Sequence, residues 1–183
     1  MGNIALPSKR TALKLLRKHN IGISIRQHSI KVANTAKDLM SRIKNPKKLE
    51  INKDLVIIGA LLHDLGRSKT HTLKHGYLGG KIVKKLGYSE SLSRICETHI
   101  LGGLDKEEAK KANLPPKDFF PEKIEEKIVC LADKMTMGDK RVSVEERFKY
   151  WFSKHGKSEL LLKSKKRVEQ IKEEIETLME QNN

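Results

Sequence analysis

The sequence predicts an all-α fold, and three observations carry that prediction. Apolar residues recur at helical spacing along most of the chain, Gly and Pro punctuate the periodic segments, and no convincing strand or internal repeat interrupts them. At 183 residues the chain can bury a real core, and a single domain over 1–183 is the expectation.

Ser8 to His19 sets Leu13, Leu15 and Leu16 against basic residues, and Asn20-Ile21-Gly22 ends this first helix. Ser24-Ile25-Arg26-Gln27 has the form of a capping box and opens a second helix to about Lys44, where Asn45-Pro46 stops it. Ile25, His28, Val32, Ala36, Leu39 and Ile43 recur on its buried side. Asn52 caps a third helix whose segment Leu55 to Leu62 is apolar apart from Gly59, the pattern of a helix buried on all sides. It ends in His63-Asp64, and Gly66 to Lys74 reads as polar loop. A fourth helix begins at His75 and stops at Leu86-Gly87, where Gly suits a C-cap.

Ser89 to Ile100 forms a fifth helix, with Leu92, Ile95, Cys96 and His99 on one side and Gly102-Gly103 beyond its end. A short charged helix over Asp105 to Asn113 precedes the Leu114-Pro115-Pro116 break. Pro121 starts the next helix, through Met135, whose apolar positions Ile124, Ile128, Leu131 and Ala132 include Asp133 among them. Ser143-Val144-Glu145-Glu146, a second capping-box form, introduces Phe148, Trp151 and Phe152. From about Ser158, Leu161, Val168, Ile171, Ile175 and Leu178 fall near heptad spacing. That stripe docks on the domain or pairs with a second copy as a homodimer, docking being favoured.

Composition narrows the class. No apolar run approaches the roughly 20 residues of a membrane span, and Met1 to Arg10 lacks the apolar region of a secretory signal, so a cytoplasmic location without membrane association is expected. Cys96 and Cys130, far apart and outside any CxxC, read as thiols packed in helices. Aromatic content of 4% argues against a base-stacking platform, and Tyr77 and Tyr88 read as packing residues. The formal charge is +15, and residues 1–53 contribute 13 Lys and Arg against Asp38 and Glu50. A basic N-terminal third suits nucleic acid or another polyanion. It equally suits the lysine-rich solvated surface that hyperthermophiles favour.

Four of the seven histidines, His28, His63, His75 and His99, fall where they face inward or toward a helix end. Neighbouring residues on a helix point about 100° apart, so His63 and Asp64 converge only where the helix ends on a ligand. Asp64 and Asp133 lie in apolar surroundings, and a cation removes the cost of burying them. Nitrogen and oxygen donors without sulfur suit a catalytic divalent transition-metal site (Mn, Fe, Co, Ni or Zn, with Mg acceptable at a carboxylate-rich position) better than structural zinc. Arg67 and Lys69, past the His-Asp turn, and Lys140 and Arg141, after Asp133, are candidates for binding a phosphorylated substrate. For each, the alternative is a solvated surface charge. His19, His71 and His155 fit no ligand position, and His71 reads as solvent-exposed.

His28, then His63-Asp64, then Asp133 resembles the H…HD…D pattern of the HD-domain metal-dependent phosphohydrolases, and His63-Asp64-Leu65-Gly66 is close to the HDIG variant. The resemblance covers roughly residues 22–140 and leaves 143–183 as a C-terminal helical extension. It implies a compact helical bundle with extra C-terminal helices, in which His28, His63, Asp64 and Asp133 bind a first metal. It also implies that His75 and His99 match the added histidines of the two-metal branch, where Asp64 bridges the ions. Within the superfamily the chain looks most like the hydrolases that split diadenosine tetraphosphate symmetrically. These share a His-Gly segment opening the next helix, a later His followed by a Gly, and Leu131-Ala132-Asp133. Lys134 to Arg141 departs from their sequence while staying basic, and Ile100 stands where cyclic-dinucleotide phosphodiesterases often carry a second His.

The activity this implies is hydrolysis of a phosphoester or phosphoanhydride, of a nucleotide, by a metal-activated water, with Asp64 as the catalytic carboxylate. Two other classes remain in view. Some HD-fold proteins hold two irons with the same six ligands and cleave C–C or C–P bonds with oxygen, and a basic nucleic-acid-binding module could keep a non-catalytic HD site. Intact ligands argue for catalysis, and basic surroundings for a phosphorylated substrate.

Overall fold

The structure, a computed structural model, describes residues 6–44 and 49–180; the expected stop at Asn45-Pro46 lies outside them. Helix α1 (Lys9–Lys18) is capped by the Ser8 side chain and α3 (Lys53–Leu62) by Asn52, each accepting a backbone N–H of the first turn. Helix α2 (Ile23–Arg42) departs from the expectation. Its cap is Gly22, whose carbonyl already accepts the Arg26 N–H at 3.0 Å, so Ser24 sits inside the first turn and makes no capping box. A 3-10 turn, Leu65–Ser68, follows Asp64 and leads to α4 (His75–Lys85) and α5 (Glu90–Thr98).

After α6 (Lys106–Lys111), helix α7 (Ile124–Lys134) starts three residues later than Pro121 suggests. Its Glu126 carboxylate accepts the Glu122 N–H at 3.1 Å, so Pro121 belongs to the approach. Between α7 and α8 (Val144–His155) lies an element the sequence reading did not anticipate, a two-residue antiparallel hairpin of β1 (Thr136–Met137) and β2 (Lys140–Arg141). Gly138-Asp139 supplies its turn, Gly138 at φ +61°, and a Gly-Asp pair is a recognisable hairpin signal. Two-residue strands are too short to alternate visibly.

Helix α3 is the axis, packed against α1, α2, α5 and α7, with Val56, Ala60, Leu61 and Leu62 fully enclosed. This explains its unbroken apolar run. Helix α9 (Glu159–Glu180) lays Leu161, Val168, Ile171 and Ile175 against the domain, where α7 and α8 cover them. The stripe proposed for a homodimer is therefore consumed within the chain. Cys96 and Cys130 are buried free thiols, and no helix is long and apolar enough to cross a membrane among the described residues.

Candidate metal centre

The C-terminal end of α3 delivers His63 and Asp64 into the interior, both almost completely buried. The turn that follows must fold back tightly, and Gly66 allows it. A Cβ there would fall 1.9 Å from the His75 carbonyl oxygen and 2.5 Å from the Gly79 nitrogen, so only glycine lets this turn rest on α4 and bring His75 to Asp64. His99 ends α5, Asp133 lies on the last turn of α7, and His28 faces them from α2.

These residues are oriented as ligands. His63, His75 and His99 place Nδ1 2.7, 2.7 and 2.8 Å from the carbonyls of Ala60, Thr72 and Cys96, each three residues back. His28 Nδ1 lies 2.9 Å from the Gly138 carbonyl of the hairpin. A carbonyl only accepts, so each Nδ1 carries a proton and donates it, and each Nε2 turns inward, presenting a lone pair wherever the ring is neutral. Without a cation these lone pairs oppose one another. His75 Nε2 and His99 Nε2 stand 3.2 Å apart, and His63 Nε2 and Asp64 Oδ1 are buried without a hydrogen bond. Asp64 Oδ1 is 3.0 Å from His75 Nε2 and 3.6 Å from His99 Nε2, close but misaligned. Such clustering of unmatched acceptors is what a divalent cation resolves, so the residues fit a metal.

The six side chains fall into overlapping triples, His28/His63/Asp64, His63/His99/Asp133 and Asp64/His75/His99, each with its ligand atoms within 4.8 Å of one another. Asp64 joins the His28 side to the His75 side. Burial opposes ionisation of both carboxyls, yet the imidazoles around Asp64 and the Lys134 ammonium beside Asp133 hold them well below the usual carboxylate range. Burial pushes His99 down to about 3 and lowers His63, so both rings are neutral and ready to coordinate. Burial also opposes a charge on His28, but its bond to Asp133 prevails and raises it.

The cluster forms the floor of a cleft of about 390 Å³ whose rim includes Ser24, Ile25, His71, Leu73, Arg147 and Trp151. Of the cations proposed from sequence, Arg67 reaches the cleft and donates from Nε to Asp64 Oδ2 at 2.8 Å. The structure does not bring the others there. Lys69 is exposed and lines no part of the cleft, Lys140 is exposed on β2, and Arg141 is bound to Asp38 at 2.5 Å. His71 is exposed, as expected, but lines the mouth. Tyr77 packs edge-on against Phe119, and Tyr88 against the core.

Two cationic residues of the cleft escaped the sequence reading. Lys134 is 2% exposed and donates to Asp133 Oδ2 at 2.5 Å and to the His99 carbonyl at 2.6 Å. Its position directly after Asp133 was the available signal. Arg147, on α8, had none, because only the folded chain carries α8 to the rim.

The HD domain profile matches residues 25–138, well over half of the chain. The chain belongs to the HD domain family. An uncharacterized protein of Methanocaldococcus jannaschii is 40% identical to it over 168 residues, 92% of this chain and 96% of that protein. The tRNA (cytidine(56)-2'-O)-methyltransferases of Thermoplasma volcanium and Picrophilus torridus are each 36% identical over 141 residues. Those residues are 77% of this HD chain but 40% of each methyltransferase, so it corresponds to less than half of those proteins. Among solved structures, the HD domain of the L. monocytogenes phosphodiesterase PgpH aligns with a TM-score of 0.51 at 18% identity, over 92% of this chain and 95% of that one. The same domain in complex with cyclic-di-AMP gives 0.50 at 15%, over 94% and 98%. At such identity the likeness is one of fold.

Proposed function

We propose that this chain is a metal-dependent phosphohydrolase with a binuclear centre, acting on a phosphoester or phosphoanhydride bond of a nucleotide. The observation that carries the reading is the sharing of Asp64 between two sets of inward-facing histidines. His28, His63 and Asp133 would hold one divalent cation, His75 and His99 the other, with Asp64 common to both. Cations so held lower the pKa of a bound water and polarise phosphoryl oxygens. The protein's own part is orientation. Carbonyl-anchored Nδ1 atoms fix the ring tautomers, Arg67 pins Asp64 Oδ2, and Lys134 ties Asp133 to the His99 carbonyl.

A nucleotide substrate is in keeping with the cyclic-di-AMP complex of the PgpH domain. A test is chromatographic separation of the nucleotide products formed from diadenosine tetraphosphate, nucleoside mono- and polyphosphates and cyclic dinucleotides, with Mn, Co, Ni or Mg supplied. Metal-dependent turnover that disappears in Asp64→Ala is expected; metal-loaded protein that cleaves none of them would sink the reading.

A second reading concerns the carrier of the phosphate. The match to part of two tRNA methyltransferases, with the basic first third, favours RNA as partner or substrate. Binding to tRNA that weakens steeply and log-linearly with salt would support it.

A further inference from the structure

We propose that Arg147 and Trp151, both on α8 and outside residues 25–138, form a phosphate-anchoring wall of the cleft, with Arg147 binding a phosphate of the substrate and Trp151 holding its guanidinium in place. This rests on the hydrolase reading in one respect, that the phosphate held is the substrate's.

The argument begins with the cations that reach the cleft. Arg67 and Lys134 each contact one of the two aspartates of the metal centre and serve to position it. Arg147 is different. Among the described residues it makes no ion pair, although its charge faces the same cleft as Asp64 and Asp133. Its Nη1 donates to the Thr136 carbonyl at 3.0 Å, its guanidinium carbon lies 4.7 Å from the centre of the Trp151 ring, and its Nε is buried without a hydrogen bond. A guanidinium with one edge fixed by a carbonyl and one face against an indole has lost its freedom before any ligand arrives. Its remaining N–H groups suit a phosphate, which accepts from a planar fork in two parallel bonds. Trp151 is itself braced edge-on by Phe148, 5.0 Å away, and Phe148 is fully buried. The wall is therefore built on the core, and α8 supplies to the cleft what the segment 25–138 does not.

Trp151 is the sole tryptophan of the chain, so its fluorescence reports on this wall. Inorganic phosphate, and separately ADP, would be titrated into metal-loaded wild type, Arg147→Lys and Arg147→Gln. Metal content and unfolding temperature would be measured on the same samples. The wild type is expected to give a saturable change, with affinity about tenfold or more weaker in Arg147→Gln and partly retained in Arg147→Lys, at unchanged metal content. No saturable change in the wild type, or equal affinity in Arg147→Gln, would overturn the anchor. If phosphate binds through Arg147 but no nucleotide is cleaved, the anchor stands and the hydrolase reading falls. If nucleotides are cleaved with kcat and KM indifferent to Arg147→Gln, the hydrolase reading stands and the anchor falls.

Discussion

Three of the four histidines in the centre are held by their own helix ends, and the fourth is held from far along the chain. His63, His75 and His99 each donate to the carbonyl three residues before them, whereas His28 donates to Gly138, 110 residues away. The first arrangement needs only that a helix end where it does. The second needs α2, α7 and the hairpin to be in register. The His75 and His99 side is thus set by local structure, the His28 side by tertiary structure, and Lys134 links them by touching both Asp133 and the His99 carbonyl.

Breaking that link should have the largest effect. Lys134→Met removes the charge partner of buried Asp133 and should destabilise the metal-free protein by about 3–5 kcal/mol. Denaturant unfolding with and without metal checks this, and bound metal should offset part of the loss because a cation again faces Asp133. An unchanged midpoint would mean that the two sides are independent.

Disturbing the distant anchor comes next. Gly138 sits at φ +61° with open space around it, so Gly138→Val strains the turn without a clash and shifts the carbonyl that orients His28. Metal affinity on the His28 side should fall roughly 10–100-fold, as for other second partners of ligating histidines. Calorimetric titration should find the His75 side unaltered. Gly66→Ala is the converse variant: its Cβ presses on the His75 carbonyl, and the loss should fall on the other side.

The smallest effect is on pH. The His28 value in the folded, metal-free protein is raised above 6.5, so the stability it contributes is fully present below that pH and is lost as pH rises through the folded value. His63 and His99 are lowered and contribute in the opposite sense below 6.5. The difference between wild type and His28→Gln isolates the first effect. The stability advantage of the wild type should shrink as pH rises above 6.5 and through the raised folded value.

The same local-versus-distant division explains what the sequence discloses. Helix caps such as Asn52, Ser89 and Ser143 are local signals and could be read directly. The six clustered residues follow from helix ends, apolar stripes and the family pattern. Ser24 misled because a capping box is recognised by residue type, and Gly22 took the cap two residues earlier. Lys69, Lys140 and Arg141 do not line the cleft, because nearness in sequence to a ligand says little about which way an exposed side chain points. Arg147 could not be found at all, since its place at the cleft depends on how α8 returns across the hairpin it anchors through Thr136.

The most direct test of the account is metal stoichiometry by elemental analysis on wild type, His28→Ala, His75→Ala and Asp64→Ala, with nucleotide cleavage measured on the same samples. Two ions in the wild type are expected, about one in each histidine variant, and neither metal nor nucleotide cleavage in Asp64→Ala. Iron bound without cleavage of any nucleotide would point to oxygen chemistry instead. A wild type that takes up no metal under any supplementation would contradict the account at its centre.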